Sequence, residues 1–592
     1  MKTVPRRFLS SDVVNIDYET INLQSDPNAK VFAMSLTWCE DGYTEVWRKD
    51  TGEVRFYSDE KEIWRGQGDF EQKLKSFWLS PCAAVTHNLM FEWHFTDEHY
   101  QVHPEKPIHD TMIMSQYIDN LCPSHALDYL FNRFHGKVAW ITEADNNIEK
   151  CKKIYGTYEK HPVDLMFPYQ LADGIRGALL YKLFWPRVSP VSEYWNEIEL
   201  IKATVVMIKR GFMVDKKQAA DLAGQMTFEL QQNNTRTREI IGHYVNLLSE
   251  PQLKKLLFEE LQLPVQPTTD KDDLKKLGNH PIIDCIEKAR AYTKGVAMVN
   301  GYIIASQHDG ACHPSIRTNH AGTGRESSET PNLQNVSKEF KAGVRYTVPA
   351  RRCFRARPGY ILLLGDYSGI EMRLAVQATG DTRLLKLCAE GFDFHASCAR
   401  SFYGDTYDLE QDKDIKSAFR SRAKNARFAM LYGAGLEQTA NTLGLDIEQT
   451  RTGYERDKAD FPEFYALMDK CTHDAKHQGY ITTFFGRKLR VPLDRPYAAT
   501  DYLIQGSAAA LFKHAQVKVH KFFKGTDCHI IIPVHDELVT EIRRGSDLPY
   551  LTKNISYLML SQPEITVSMN VDFLIATYTW DKKSEYKPTV SI

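Results

Sequence analysis

Arg420-Ser421-Arg422-Ala423-Lys424-Asn425-Ala426-Arg427-Phe428-Ala429-Met430-Leu431-Tyr432-Gly433-Ala434-Gly435 holds good helix formers, no proline, and a Gly-Ala-Gly stop. Successive helical residues turn by about 100°, so positions four apart lie nearly above one another. Arg420, Lys424, Phe428 and Tyr432 therefore share one stripe, two cations followed by two rings. Such a stripe suits a nucleotide laid along the helix, phosphates at the cations and sugar or base at the rings. It equally suits a solvated basic face that runs into core aromatics.

Working outward, 592 residues exceed a single core and match roughly four domain-sized units. Hydrophobic content of 43% and charged content of 25% are those of a soluble globular protein. A net charge of −2 provides no overall pull toward nucleic acid. Basic clusters therefore matter only where they converge: Arg351 to Arg357, Lys416 to Arg427, and Arg487, Lys488 and Arg490. Eleven cysteines without a CxxC pair point to reduced thiols, a cytosolic setting and no zinc site. The segment MKTVPRRFLSSDVV lacks an apolar signal region, and no apolar run approaches 18 residues, so neither secretion nor a membrane span is expected.

On both sides of the basic helix, acids stand at the ends of apolar runs. Ile361-Leu362-Leu363-Leu364-Gly365-Asp366-Tyr367 reads as a buried strand with Asp366 at its exit. His529 to Val539 reads as strand, tight turn, strand, with Asp536 and Glu537 at the tip. Gly322-Thr323-Gly324-Arg325 leads to Pro331-Asn332-Leu333-Gln334-Asn335, glycines for close backbone approach and amides suited to base or sugar edges. Near the N-terminus, Val13 to Thr20 reads as a strand whose Asp17 and Glu19, two apart, project from one face. Paired carboxylates of this kind need a cation, and hard oxygens suit Mg²⁺ or Mn²⁺. Glu92 follows in Asn88-Leu89-Met90-Phe91-Glu92, and Tyr169 and Asp173 lie one helical turn apart. Between these regions, Trp195 to Asp215 is amphipathic, and Ser249-Glu250-Pro251 has the form of a helix start.

The N-terminal acids resemble the three motifs of a DEDDy-type 3′–5′ exonuclease, over roughly residues 1–190. The resemblance implies an α/β RNase H-like fold. Asp17, Glu19, Glu92 and Asp173 would be metal ligands, with Glu19 also catalytic, and Tyr169 would orient the attacking water. Glu92 departs from the family, which carries aspartate there. Ser124 to Leu130 resembles a structural linker helix of these domains.

The ordered set of Asp366, the Arg420–Tyr432 helix and Asp536 resembles motifs A, B and C of the A-family DNA polymerases, and TGR…PNLQN, FFGRK and QGSAAALFK match that family too. This resemblance spans roughly 195–592 and implies an α+β polymerase domain of right-hand shape. The thumb would fall near 200–300, the palm near 301–378 and 500–592, and the fingers near 379–499, within a polymerase domain of 191–592. Asp366, Asp536 and the Tyr367 carbonyl would hold two Mg²⁺ ions (Mn²⁺ as a substitute), two per active site. Arg420 and Lys424 would grip the dNTP triphosphate, with Lys424 protonating pyrophosphate. Phe428 would meet the sugar and Tyr432 the templating base. Glu371 would act as steric gate against a ribose 2′-OH, and His395 would stand near the phosphates. Arg325, Gln505, His535, Asn332 and Gln334 would contact primer–template DNA.

The whole implies template-directed DNA synthesis with proofreading of a single-stranded 3′ end, by a monomer in the cytoplasm, or in a host's cytoplasm if phage-encoded. The N-terminus begins almost at the exonuclease strand, so no 5′-nuclease domain is expected and a phage or replicative form is favoured. The rival is an exonuclease whose polymerase half only holds DNA. Arg427, Ala429 and Gly369 depart from common family residues, and Arg427 lies off the stripe without a role.

Overall fold

The computed structural model describes residues 6–21, 29–100, 106–156, 160–337 and 346–587. Its N-terminal part is organised on β1 (Val13–Ile21). Val14, Ile16 and Tyr18 are buried in the core on one side of this strand, leaving Asp17 and Glu19 for the other, the two-residue period of a strand. β1 lies between an antiparallel β2 (Lys30–Trp38) and a parallel β6 (Ala83–Thr86). Adding β3 (Tyr43–Arg48), β4 (Glu53–Ser58), β5 (Lys61–Gln67) and β7 (Ile108–Asp110), the sheet order is β5-β4-β3-β2-β1-β6-β7. Three antiparallel strands followed by two parallel ones, with β1 central, is the RNase H-like arrangement, and β4 and β5 extend its antiparallel edge.

The helix Val163–Val188 packs on this sheet at short range, and two glycines permit it. A Cβ on Gly177 would lie 2.3 Å from Asn15 Oδ1, and one on Gly174 would lie 2.4 Å from Thr37 Oγ1. That approach carries Tyr169 and Asp173 to the acidic face of β1. The following helix, Ser192–Arg210, joins the two halves of the chain. Its Tyr194, Ile198, Ile201 and Val205 pack in the N-terminal core, while Ala203 and Met207 pack in the core of the second half.

Two long helices, Lys216–Ile241 and Pro281–Ala305, then run antiparallel. Asn233 donates to the Cys285 carbonyl, Lys288 pairs with Glu229, and Met226 packs at Gly295. Leu253, Leu256, Leu257, Ile282 and Ile286 close their tip. Ser249 stands at the expected N-cap with Pro251 inside, but its side chain makes no capping bond, and the helix passes after Lys254 into a π-helical turn, Lys255–Glu260.

The second sheet is antiparallel throughout: Cys528–Val534, Glu537–Arg543, Tyr360–Tyr367, Val571–Ala576 and Lys583–Tyr586, in that order. Ile361 and Leu363 enter one core and Leu362 and Leu364 the other, so this central strand is apolar without alternation. The helix Ala499–Phe523 covers one face. A helical layer containing Phe394–Tyr403, Lys413–Leu431, Ile447–Asp460 and Pro462–Gln478 completes the half. All eleven cysteines are free thiols. No described helix is long and apolar enough to cross a membrane.

Candidate active site

Strand pairing brings the two distant acids together. Asp366 stands in register with Glu537, and the Tyr367 N–H donates to the Asp536 carbonyl at 3.4 Å. The Tyr367 ring is buried below, its hydroxyl donating to the Met559 carbonyl at 2.6 Å. His535 turns the hairpin with φ of 58°, in the left-handed region. Burial, with the Glu371 and Glu537 charges, raises the Asp536 carboxyl to about 6 against the pull of Arg325 and Lys424. Glu537 is otherwise engaged, paired with Arg351 at 3.3 Å and Lys583 at 2.9 Å.

The basic helix brings its stripe to the same place. Phe428 and Tyr432 stack at 6.0 Å, and Tyr432, just past the last helical residue, donates its hydroxyl to Glu371 at 2.8 Å. Arg325 donates to the other Glu371 oxygen. His395 lies 5.5 Å from Phe428, and burial, helped by Lys424 and Arg420, pushes its imidazole down to about 4, so it is neutral at pH 7. Lys424 is exposed. Arg420 is not free: it pairs with Asp393 at 2.7 Å, and Asp393 also caps the helix Phe394–Tyr403. A cleft beside these groups is lined by Arg325, Gln334, Ile370, Phe512, His535 and Asp536. Asn332 uses its side-chain oxygen locally, accepting from the Gln334 and Asn335 N–H groups, and Gln505 is partly buried on the helix Ala499–Phe523.

Arg427 faces away from the stripe. The residue is 1% exposed, and its guanidinium pairs with Asp457 at 2.5 Å and lies over Phe461 and Phe464. Asp457 also accepts from Tyr465 at 2.9 Å. The side chain thus fastens the basic helix to the two helices behind it.

In the N-terminal half, Asp17, Glu19 and Asp173 have carboxylate oxygens all within 4.8 Å of one another. Burial pushes Asp17 and Glu19 well above the usual carboxylate range; the Asp173 charge adds to both and the Asp17 charge to Glu19, while Arg176 opposes the rise at Asp17. Asp173 is also raised by burial, but Arg176 and a hydrogen bond from Tyr169 oppose the rise. Glu92, on the helix Leu89–Tyr100, is outside that trio yet feels the Asp17 charge, and its Oε2 is buried without a partner. The nearby Asp110 is committed elsewhere: it accepts from the Asn88, Leu89, Met112 and Ile113 N–H groups and caps a helix. A buried set of hard, mutually repelling oxygens, one of them orphaned, fits divalent cations.

Two residues, Arg176 and Glu326, were not singled out by the sequence. Arg176 had a signal, since it lies one turn beyond Asp173. Glu326 had none: one carboxyl oxygen is buried without a partner, the other accepts from Gln516 at 2.6 Å, and burial holds the group up at about 7. The halves meet beside it. Lys513 pairs with Glu197 at 2.8 Å, Arg487 lies 4.1 Å over the Tyr117 ring, and Asn120 donates to the Gly322 carbonyl at 2.8 Å.

An antiparallel sheet presenting paired acids beneath a basic-aromatic helix defines the nucleotide-polymerase class that the motifs resemble. Residues 216–582 match the family model of DNA polymerase family A, more than half of the chain, and the chain belongs to that family. It is 29% identical over 429 residues to the thermostable DNA polymerase I of Thermus filiformis, covering 67% of this chain and 50% of the relative. To DNA polymerase I of Pseudomonas aeruginosa it is 27% identical over 506 residues, covering 80% and 54%. The chain spans about half the length of the curated relatives it matches. Its fold is that of the POL domain of Pol1 from M. smegmatis, solved in complex with DNA primer-template and dNTP, with a TM-score of 0.79 at 22% identity over 97% of this chain and 96% of that one.

Proposed function

We propose that the chain is a template-directed DNA polymerase that extends a primer 3′-hydroxyl with dNTPs, and that it carries a separate 3′–5′ proofreading exonuclease. The observation that supports synthesis best is the strand pairing that sets Asp366 opposite Glu537 and next to Asp536, whose carboxyl feels the charges of Lys424 and of Glu371, the acceptor of the Tyr432 hydroxyl. Phosphoryl transfer is mainly positioning and charge stabilisation. Two divalent ions, Mg²⁺ or Mn²⁺, supply when bound the charge that activates the attacking oxygen and steadies the leaving one. Asp366 and Asp536 would hold them. Lys424 binds the triphosphate and gives a proton to the departing pyrophosphate. Arg420 joins it after releasing Asp393, and neutral His395 stands as a hydrogen-bonding group beside them. Phe428 packs on the sugar, and Glu371 stands where a 2′-hydroxyl would project. Arg325, Gln334, His535, Asn332 and Gln505 line the primer–template side.

For the exonuclease, Asp17, Glu19, Glu92 and Asp173 would hold the ions, and Tyr169 would orient the attacking water at a single-stranded 3′ end. We read residues 1–190 as the exonuclease domain and 191–592 as thumb, palm and fingers, in a replicative, phage-type, monomeric enzyme. Incubation with primer–template, Mg²⁺ and dNTPs should lengthen the primer, and without dNTPs should shorten it. Absence of any extension would leave the rival, an exonuclease with a DNA-holding second half.

A further inference from the structure

We propose that Arg176 is a positioning residue of the exonuclease site, holding Asp173 so that Oδ1 is occupied and Oδ2 is turned to the ion; this rests on the exonuclease reading above. Arg176 is 2% exposed and follows Asp173 by one turn of the helix Val163–Val188. Its Nη1 donates to Asp173 Oδ1 at 2.7 Å. The same guanidinium is gripped from a second helix, Ala139–Tyr155: Nη1 donates to Asp145 Oδ1 at 3.0 Å and Nη2 to Asp145 Oδ2 at 2.5 Å.

A planar guanidinium held by both oxygens of one carboxylate has a fixed plane, so the direction of its remaining bond is fixed too. Asp145 therefore orients Arg176, and Arg176 orients Asp173, whose carboxylate also receives a hydrogen bond from Tyr169 one turn earlier. A merely structural pair, or a cation that only repels incoming metal, would behave differently when removed. Loss of repulsion tightens metal binding, whereas loss of orientation weakens it. Partners that orient a ligand typically contribute about 10–100-fold in metal affinity.

Titration of the full chain with Mn²⁺ alone, read by electron paramagnetic resonance, tests this in a background where Asp366→Ala and Asp536→Ala silence the other acids. Asp17→Ala serves as the reference without the site. Arg176→Gln is expected to weaken Mn²⁺ binding about 10-fold or more. Arg176→Lys, which keeps the charge but not the fork, should fall between it and the parent. Should Arg176→Gln not fold, Asp145→Asn carries the test, because Arg176 keeps its Asp173 partner while losing its fixed plane; weaker binding supports the proposal. Unchanged or tighter Mn²⁺ binding in either folded variant overturns it. If the parent binds no Mn²⁺ that Asp17→Ala abolishes, the exonuclease reading fails and takes this proposal with it.

Discussion

Asp536 and Glu537 are adjacent acids in different circumstances. Asp536 feels the charges of Lys424 and Arg325 without an ion pair to either, whereas Glu537 is closed by Arg351 and Lys583. Asp536→Ala should therefore abolish primer extension and leave digestion of single strands intact; a variant losing both would show that the sites are not separate. Arg427 gives a prediction of another kind. Removing one partner of a buried ion pair leaves an uncompensated charge and costs about 3–5 kcal/mol. Arg427→Met should lower stability by that order in chemical denaturation, and Arg427→Met with Asp457→Leu should recover much of it. The sequence could not reveal this role, because Asp457 lies on a different helix and only the fold brings it to Arg427. The candidate acids Asp366 and Asp536 were legible as a set: each terminates an apolar run, a local pattern, and the basic-aromatic helix lies between them in sequence.

Among the elements, the basic helix depends on how it stops. Gly433 has φ of 91°, and a Cβ there would lie 2.3 Å from the Tyr497 ring. Gly433→Ala is both strained and crowded, so it should displace Tyr432 from Glu371 and raise the KM for dNTPs several-fold; an unchanged KM would show that the stop does not place the ring. On β1, Asp17 and Glu19 share a face because a strand alternates. Their double alanine variant should synthesise yet no longer digest single strands, measured on one labelled primer. Strand, helix and hairpin were all readable from period and turn chemistry. What was not readable was which cations were occupied: Arg420 looked available on its stripe, yet Asp393 holds it in this structure. Nor did the start at Ser249 reveal that the helix would widen after a single turn.

Across the whole molecule, the two halves share a buried seam of carboxyls. Glu193 and Glu326 are both held at about 7 by burial, with Lys513 lowering each, Arg487 lowering Glu193, and Glu197 raising both. An unfolded glutamate titrates near about 4.3, so between that value and 7 the folded chain binds more protons than the unfolded one. Stability therefore falls as pH rises through this window and levels off above it. A tenfold difference in proton affinity between the folded and unfolded chains is worth about 1.4 kcal/mol. Glu326→Gln should come nearest wild type below about pH 4 and exceed its melting temperature at pH 8; parallel curves would mean that Glu326 does not titrate in this range. Such a seam is invisible in sequence, since burial comes from both halves at once.

The turn Gly322–Arg325 lies along this seam with an attachment at each end. The Gly322 carbonyl accepts from Asn120 of the N-terminal half, a Cβ on Gly324 would lie 2.7 Å from the Arg487 guanidinium, and Arg325 holds Glu371 at the cleft. The four residues are folded as a turn, the Gly324 N–H donating to the Ala321 carbonyl at 2.7 Å and the Ala321 N–H to the Arg325 carbonyl at 3.2 Å, so the two anchors are held together by a fixed loop rather than by an open tether. One inserted residue would have to break this turn's own hydrogen bonds or shift one of its two attachments, Asn120 or Glu371.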